Sequence, residues 1–398
     1  MILQTNYHNM QVDHILRAYN QFLTKELTNR FVKHATVVKL LELLPAEFRK
    51  TEVGLSHQRR SIQLIQWGHG PIDIFLWSQM HGDEATGTMA LFDLFNFLQC
   101  PEFKAVAMEL EQACTLHVLP MINPDGAEMF SRRNAQKIDI NRDYLQTVTP
   151  EGRLLKSIRE QIKPAFGFNL HDQSTLWSVK KTGKPATLSF LAPAYNEVLD
   201  INETRRDAML VIADIFEQLN PLLPQQIGLF DDEYEQRAFG DNFQAAGMST
   251  ILIEAGGLHG DEDKQQIRKY YFLSIFSGLM SIIRKSYLKN TLDVYQAIPK
   301  NNKEIFHLLL NNLVYEGAQI SMGLCYEEEP IDYGQAVSQC YIVQDIGDLR
   351  HLGAYRVIEG NGMILHGEID VYKPANFQLS HDGEIIISFK NGISQSKL

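Results

Sequence analysis

The spacing of apolar positions changes character along the chain. In residues 1–59 they recur at helical intervals: Ile15, Leu16, Tyr19 and Leu23, then Val37, Val38, Leu40, Leu41 and Leu44. Pro45, which has no N–H to continue a helix, stops the second segment. From Ser61 the period shortens to two, and a turn follows at 68–71. A continuous apolar run at 72–77 predicts a buried strand, 89–98 a helix, and 116–119 and 166–170 two further strands. A helix around 208–219, a strand at 250–253 and a long helix at 265–287 complete the series. Strands alternating with helices predict an α/β domain over residues 60–290, with a helical lead-in, 1–59, packed on it. Beyond the polar break Asn301-Asn302-Lys303 a short helix is expected at 305–313. Alternating segments follow at 318–324, 338–343, 354–358, 363–372 and 384–389, punctuated by Gly360-Asn361-Gly362 and Asp382-Gly383. Residues 300–398 thus read as a small all-β domain.

Composition adds limits. The 398 residues suffice for two or three domains with real cores, and 44% hydrophobic with 21% charged residues is ordinary for a soluble globular chain. A net charge of −11 argues against general binding to nucleic acid or an anionic membrane, while leaving room for a local basic pocket. The scattered cysteines Cys100, Cys114, Cys325 and Cys340 form no C-x-x-C pair, as expected of free thiols in a reducing compartment. The first residues, 1–8, lack a basic region followed by an apolar core. The longest apolar stretch, 272–283, is short for a bilayer and contains Ser274, Ser277 and Ser281. The expected location is the cytoplasm; the oligomeric state is not legible.

The candidate chemistry lies where strands end, the usual ligand position in α/β sheets. His81 and Glu84 follow the run 72–77, His171 follows 166–170, and Glu254 follows 251–253. An imidazole nitrogen and a carboxylate oxygen converging from the His81 loop suit Zn²⁺. Between them lie Asn123-Pro124-Asp125-Gly126 and an arginine-rich stretch from Arg132-Arg133-Asn134 to Asp139-Ile140-Asn141-Arg142-Asp143. Asn169-Leu170-His171-Asp172 and Ile253-Glu254-Ala255-Gly256-Gly257 close the set.

In this combination, over roughly residues 60–288, the chain resembles the zinc metallocarboxypeptidase family, which includes the pancreatic carboxypeptidases. The resemblance implies a mixed, mostly parallel sheet sandwiched by helices. It implies one Zn²⁺ per chain on His81, Glu84 and His171, a ligand set that leaves a fourth position for water. It makes Glu254 the general base that deprotonates this water and later protonates the leaving amine. Asn141 and Arg142 match the pair that grips a terminal carboxylate, which a guanidinium fork reads bidentately. Arg132 matches the arginine that polarises the scissile carbonyl, with Arg133 as the fallback. Tyr234 matches a loop tyrosine that closes on the carboxylate; Tyr195 is also available. The implied substrate is a peptide, or an N-acyl amino acid, with a free carboxylate.

Two departures bear on specificity: the gap from Asn141 to His171 is shorter than in the digestive enzymes, and Asp172-Gln173 replaces their turn. Arg237 and Asp241 are polar candidates for the specificity pocket. Asp139, Asp143 and Asp172 are expected as supports for the ligands. His259 reads as a loop histidine near the rim, Glu327-Glu328-Glu329 as a solvated loop, and Tyr270, Tyr271, Phe272 and Phe276 as core. The nearest rival is an N-acyl amino acid deacylase of the aspartoacylase and succinylglutamate desuccinylase type. Asn-Pro-Asp-Gly and Ile-Glu-Ala-Gly-Gly favour the peptidase. A non-catalytic binding protein on the same scaffold is the third reading, and it is disfavoured because every ligand and the base are present.

Overall fold

Two eight-stranded sheets divide the computed structural model, which describes residues 12–396. The first eight residues, read above for a missing secretory signal, lie outside the described residues. The first sheet comprises β1 (Arg49–Leu55), β2 (Ser61–Gly68), β3 (Ile72–Ser78), β4 (Cys114–Leu119), β5 (Phe166–Asp172), β6 (Leu188–Leu191), β7 (Ile227–Leu229) and β8 (Ser249–Ala255). Their spatial order is β1-β2-β4-β3-β5-β8-β6-β7. The centre, β4-β3-β5-β8, is parallel, and antiparallel neighbours join it at either side. Parallel strands are covered on both faces, so they read as unbroken apolar runs; every residue of β4 and β8 is buried.

Alternate residues of β3 serve different cores. Ile74 and Leu76 join the larger one, with Phe168, Ile251, Met89 and Phe272. Phe75 and Trp77 join the other, with Leu155, Phe239 and Phe243. Helices α1 (Thr86–Gln99), α2 (Glu203–Leu219) and α3 (Gln265–Arg284) cover the first face; Pro150–Ile162 and Phe239–Ala245 cover the second. The lead-in is tied to the first face by a buried network. Arg268 of α3 donates to Asp93 of α1 through Nε (2.7 Å) and Nη2 (2.5 Å), and its guanidinium also caps the carbonyls of Thr24 and Leu27. The Tyr19 hydroxyl and the Thr24 N–H donate to the same carboxylate.

The structure departs from the sequence reading in three places. Residues 49–55, expected in the helical lead-in, form the edge strand β1; its polar, Lys- and Arg-bearing sequence suits an edge that discourages further pairing. The expected helix at 305–313 is the strand β9 (Ile305–Tyr315), because a short apolar run fits a buried strand as well as a helix and long-range pairing decides. It is central to the second sheet, flanked by β10 (Ala318–Ile331) and, in parallel, by β11 (Gly353–Glu359). Glu327, Glu328 and Glu329 lie within β10 and are no loop; Glu328 pairs with Arg30 at 2.6 Å.

The two sheets are stitched together. Asn301–Asn302 pairs antiparallel with Ser178–Val179, and Phe306 and Leu309 pack with Leu176. Among the described residues no helix is long and apolar enough to cross a membrane.

Candidate functional site

The ends of β3, β5 and β8 meet. His171 and Glu254 are direct partners across the parallel β5–β8 ladder, and the buried Tyr271 hydroxyl braces both strands, 2.7 Å from the Ile253 carbonyl and 3.2 Å from that of His171. After β3 the chain turns through Gln79, at φ +50°, whose side chain donates to the Gly82 carbonyl. Glycine is required at 82: a Cβ there would lie 2.0 Å from the Gly126 carbonyl carbon. The His-Gly-Asp-Glu and Asn-Pro-Asp-Gly segments therefore touch backbone to backbone. Asn123 caps the short helix Pro124–Met129 by accepting from the Gly126 N–H.

This framework brings His81, Glu84 and His171 together, all buried, with one donor atom from each within 4.8 Å of the others. Nδ1 of His81 lies 2.7 Å from Glu84 Oε1, and Nδ1 of His171 lies 2.7 Å from Oε2. The outer nitrogen of His81 faces Asp139 Oδ1 at 3.1 Å. Asp139 also accepts from Arg132 Nε at 3.0 Å, so one carboxylate orients both a ligand histidine and an arginine. Arg132 Nη1 reaches Glu84 Oε1 at 3.2 Å. Glu254 Oε2 and His171 Nε2 are buried without a hydrogen-bond partner.

The electrostatics follow from this crowding. Burial opposes charge on His81, yet Glu84 and Asp139 lift it to about 9. His171 is lowered by burial. Burial alone would raise Glu84, but the two imidazoles hold it well below the usual carboxylate range. Glu254 is pushed well above that range by burial and by the charges of Glu84 and Asp172. Asp83 rises to about 6, through burial and the same Glu84 charge. Asp139 has Arg132 as a counter-ion, and Asp172 has Lys264 at 3.0 Å. The remaining carboxylates crowd two imidazoles with too little positive charge. Two nitrogen donors and a carboxylate, converging in that surplus, fit a divalent zinc ion.

The arginines separate. Arg132 lines a cavity of about 490 Å³ together with Glu84, Asp83 and Asp172. Arg133 is exposed and turned to the Lys137 carbonyl, 3.0 Å away. Arg142 lines a different cavity of about 460 Å³, with Tyr234, Trp177 and Phe230. There its Nε meets Glu235 Oε2 at 3.0 Å. Asn141 accepts from the Phe239 N–H, which leaves its amide nitrogen free to donate. Arg237 forks onto Glu235, and Asp241 accepts from the Glu235 N–H. Asp143 is spent on the Thr149 cap. His259 is exposed, with Nδ1 3.0 Å from the Tyr355 carbonyl. Sequence reasoning missed Lys264, whose only signal is its place ten residues after the Glu254 motif, and Asp83, which sits in plain view between two ligands.

Residues 34–199 match the family model described as Zinc carboxypeptidase. Carboxypeptidase SOL1 of Arabidopsis thaliana is 37% identical over 67 residues, 16% of this chain and 13% of that protein. Carboxypeptidase N catalytic chain of Homo sapiens is 28% identical over 131 residues, 27% of this chain and 28% of that protein. The matched stretch thus spans well under two thirds of either relative. A metallo-carboxypeptidase from Burkholderia cenocepacia shares the fold, with a TM-score of 0.52 at 15% identity over 64% of this chain and 69% of that one. Residues 34–199, which carry His81, Glu84 and His171, are thus similar to the zinc carboxypeptidase family, and the α/β domain around them shares its fold with a solved metallo-carboxypeptidase.

Proposed function

We propose that this chain is a zinc-dependent carboxypeptidase that hydrolyses the C-terminal amide of peptides, with one metal ion per chain. The observation that carries the reading is the convergence of His81, Glu84 and His171 beside the unpartnered Oε2 of Glu254. His81, Glu84 and His171 would hold the metal. Zinc in such a set supplies a Lewis acid and brings the pKa of a water it holds toward about 7. Glu254, with Oε2 free, would take a proton from the attacking water and return it to the leaving amine. Its burial, which favours the protonated form, suits it to the second task. Arg132, fixed by Asp139, donates to the scissile carbonyl as negative charge grows on its oxygen. Arg142, released from Glu235, takes the terminal carboxylate as a bidentate partner, with Asn141 and Tyr234 closing around it. All four cysteines are free, which supports a reducing compartment, the cytoplasm, as its location.

The test is a panel of N-blocked dipeptides beside N-acetyl and N-succinyl amino acids, assayed with zinc-loaded wild type and Glu254→Gln. Release of the C-terminal residue from the dipeptides, lost in the variant, is expected. Preference for the N-acyl amino acids would make the protein a deacylase, and zinc-loaded wild type inert on both would overturn catalysis.

A further inference from the structure

The cavity lined by Glu84 and Arg132 is not confined to the α/β domain. His307, Tyr326, Glu327 and Glu328 of the β domain complete its wall, with Arg30 of the lead-in. A second cavity, about 370 Å³, continues from it between the domains. The two share Arg30, Thr175, Lys264, His307, Tyr326 and Glu328, and the second extends to Tyr341 and Tyr355. The cavity of Arg142 and Tyr234 shares no lining residue with either.

This interdomain space has a fixed ring surface. His307 stacks on Tyr326, centroids 3.6 Å apart and planes 12° from parallel, and Tyr341 meets Tyr326 edge-on at 5.4 Å. Nδ1 of His307 accepts from the Tyr326 N–H at 2.8 Å, so Nε2 carries the proton and donates to Thr175 Oγ1 at 2.8 Å, across the domain boundary. The Tyr355 hydroxyl donates to the Thr175 carbonyl at 2.6 Å. The charges around the rings are largely matched. Arg30 holds Glu328 at 2.6 Å, Lys264 holds Asp172 at 3.0 Å and Asp261 accepts from the Gln266 and Ile267 N–H groups, while the exposed Glu262 and Arg356 contribute one charge of each sign and Glu327 adds an exposed negative charge. What faces the space between these groups is ring surface, suited to planar or large apolar groups.

We propose that the β domain forms the subsite for the substrate residues on the acyl side of the scissile amide. Its wall of Tyr326, His307 and Tyr341 selects peptides of three or more residues that carry aromatic or large apolar side chains there. The inference rests on the carboxypeptidase reading: with the terminal carboxylate at Arg142 and the amide at Arg132 and Glu254, the acyl side is left the space leading to Tyr326.

The experiment compares N-acetyl-Phe-Phe and N-acetyl-Ala-Ala peptides that share one C-terminal residue. kcat/KM is measured for zinc-loaded wild type, Tyr326→Ala and Tyr341→Ala. Wild type is expected to prefer the Phe-Phe peptide by about tenfold, and Tyr326→Ala to bring that ratio near one. The ratio is read on one preparation, so partial misfolding cancels. Calorimetric affinities of the two peptides for zinc-loaded Glu254→Gln, with and without Tyr326→Ala, should show the same ratio without turnover. A wild type that cleaves both peptides equally, or a preference that survives both tyrosine variants, overturns the proposal and leaves the carboxypeptidase reading standing. A wild type that cleaves neither overturns both.

Discussion

The cleft has two walls, and they are made differently. On the α/β side, His81, Glu84, His171 and Glu254 each sit at or past the end of a central parallel strand, and sheet register together with the Gly82–Gly126 contact brings them together. On the β side, His307, Tyr326 and Tyr341 lie within neighbouring antiparallel strands, where Tyr326 and Tyr341 are direct ladder partners and His307 stacks on Tyr326. The first wall concentrates buried charge that needs a cation; the second presents rings beside an Arg30–Glu328 pair. Chemistry and selection are thus assigned to different folds, and a substitution should disturb one and spare the other.

The severest break is His171→Ala. It should take the zinc content from about one per chain to none by elemental analysis, because a three-donor site loses a nitrogen that nothing nearby replaces. Retained stoichiometric zinc would remove His171 from the site. Glu254→Gln comes next: the metal should stay while turnover falls by about 10²–10⁴-fold, and an unchanged rate would take Glu254 out of the chemistry. Arg268→Met separates stability from chemistry within the same wall. It strands Asp93 as a buried unpaired charge and should cost about 3–5 kcal/mol in urea unfolding. A loss below about 1 kcal/mol would mean that the lead-in is not anchored there. Asp139→Ala should weaken zinc affinity by about 10–100-fold in competition with a chelating dye, since His81 loses the acceptor that orients it.

The smallest effect belongs to the β wall. Burial lowers His307 to about 4, against the opposing charge of Glu328; Thr175, Tyr326 and Tyr355 are its other neighbours. An unfolded histidine titrates near 6.5. Between these values the unfolded chain binds the extra proton, so stability from the neutral ring is full above about 6.5 and drains away as pH falls toward about 4. The stability gap between wild type and His307→Gln should therefore narrow over that range, with zinc content unchanged near neutrality. Loss of zinc in His307→Gln at pH 7 would break the division between the walls.

The same division explains what could be read from the sequence. The candidate ligands and base were legible because strand ends are local: an apolar run followed by His81 or Glu254 is a continuous string. Arg132 could be placed near them only through the family resemblance, and its bond to Asp139 confirms a support that spacing alone left open. The β wall gave no such string. Residues 305–313 were expected as a helix, and Glu328 was expected in a loop, because strand pairing over many residues decides both. His307 carries no local sign that its ring will lie under Tyr326, and Arg30 none that it will reach Glu328.

Gly257, three residues past Glu254, lies so close to the β domain that a Cβ would stand 1.8 Å from the Tyr355 hydroxyl. The segment carrying the base is thus seated against a residue made much later. At about 5–20 residues per second, synthesis reaches Tyr355 roughly 5–20 s after Glu254. During that interval the nascent chain holds His81, Glu84, His171 and Glu254 without the contact that Tyr355 makes at Gly257. Seating the Glu254 loop on the β domain thus makes completion of the candidate site wait until that domain has been synthesised.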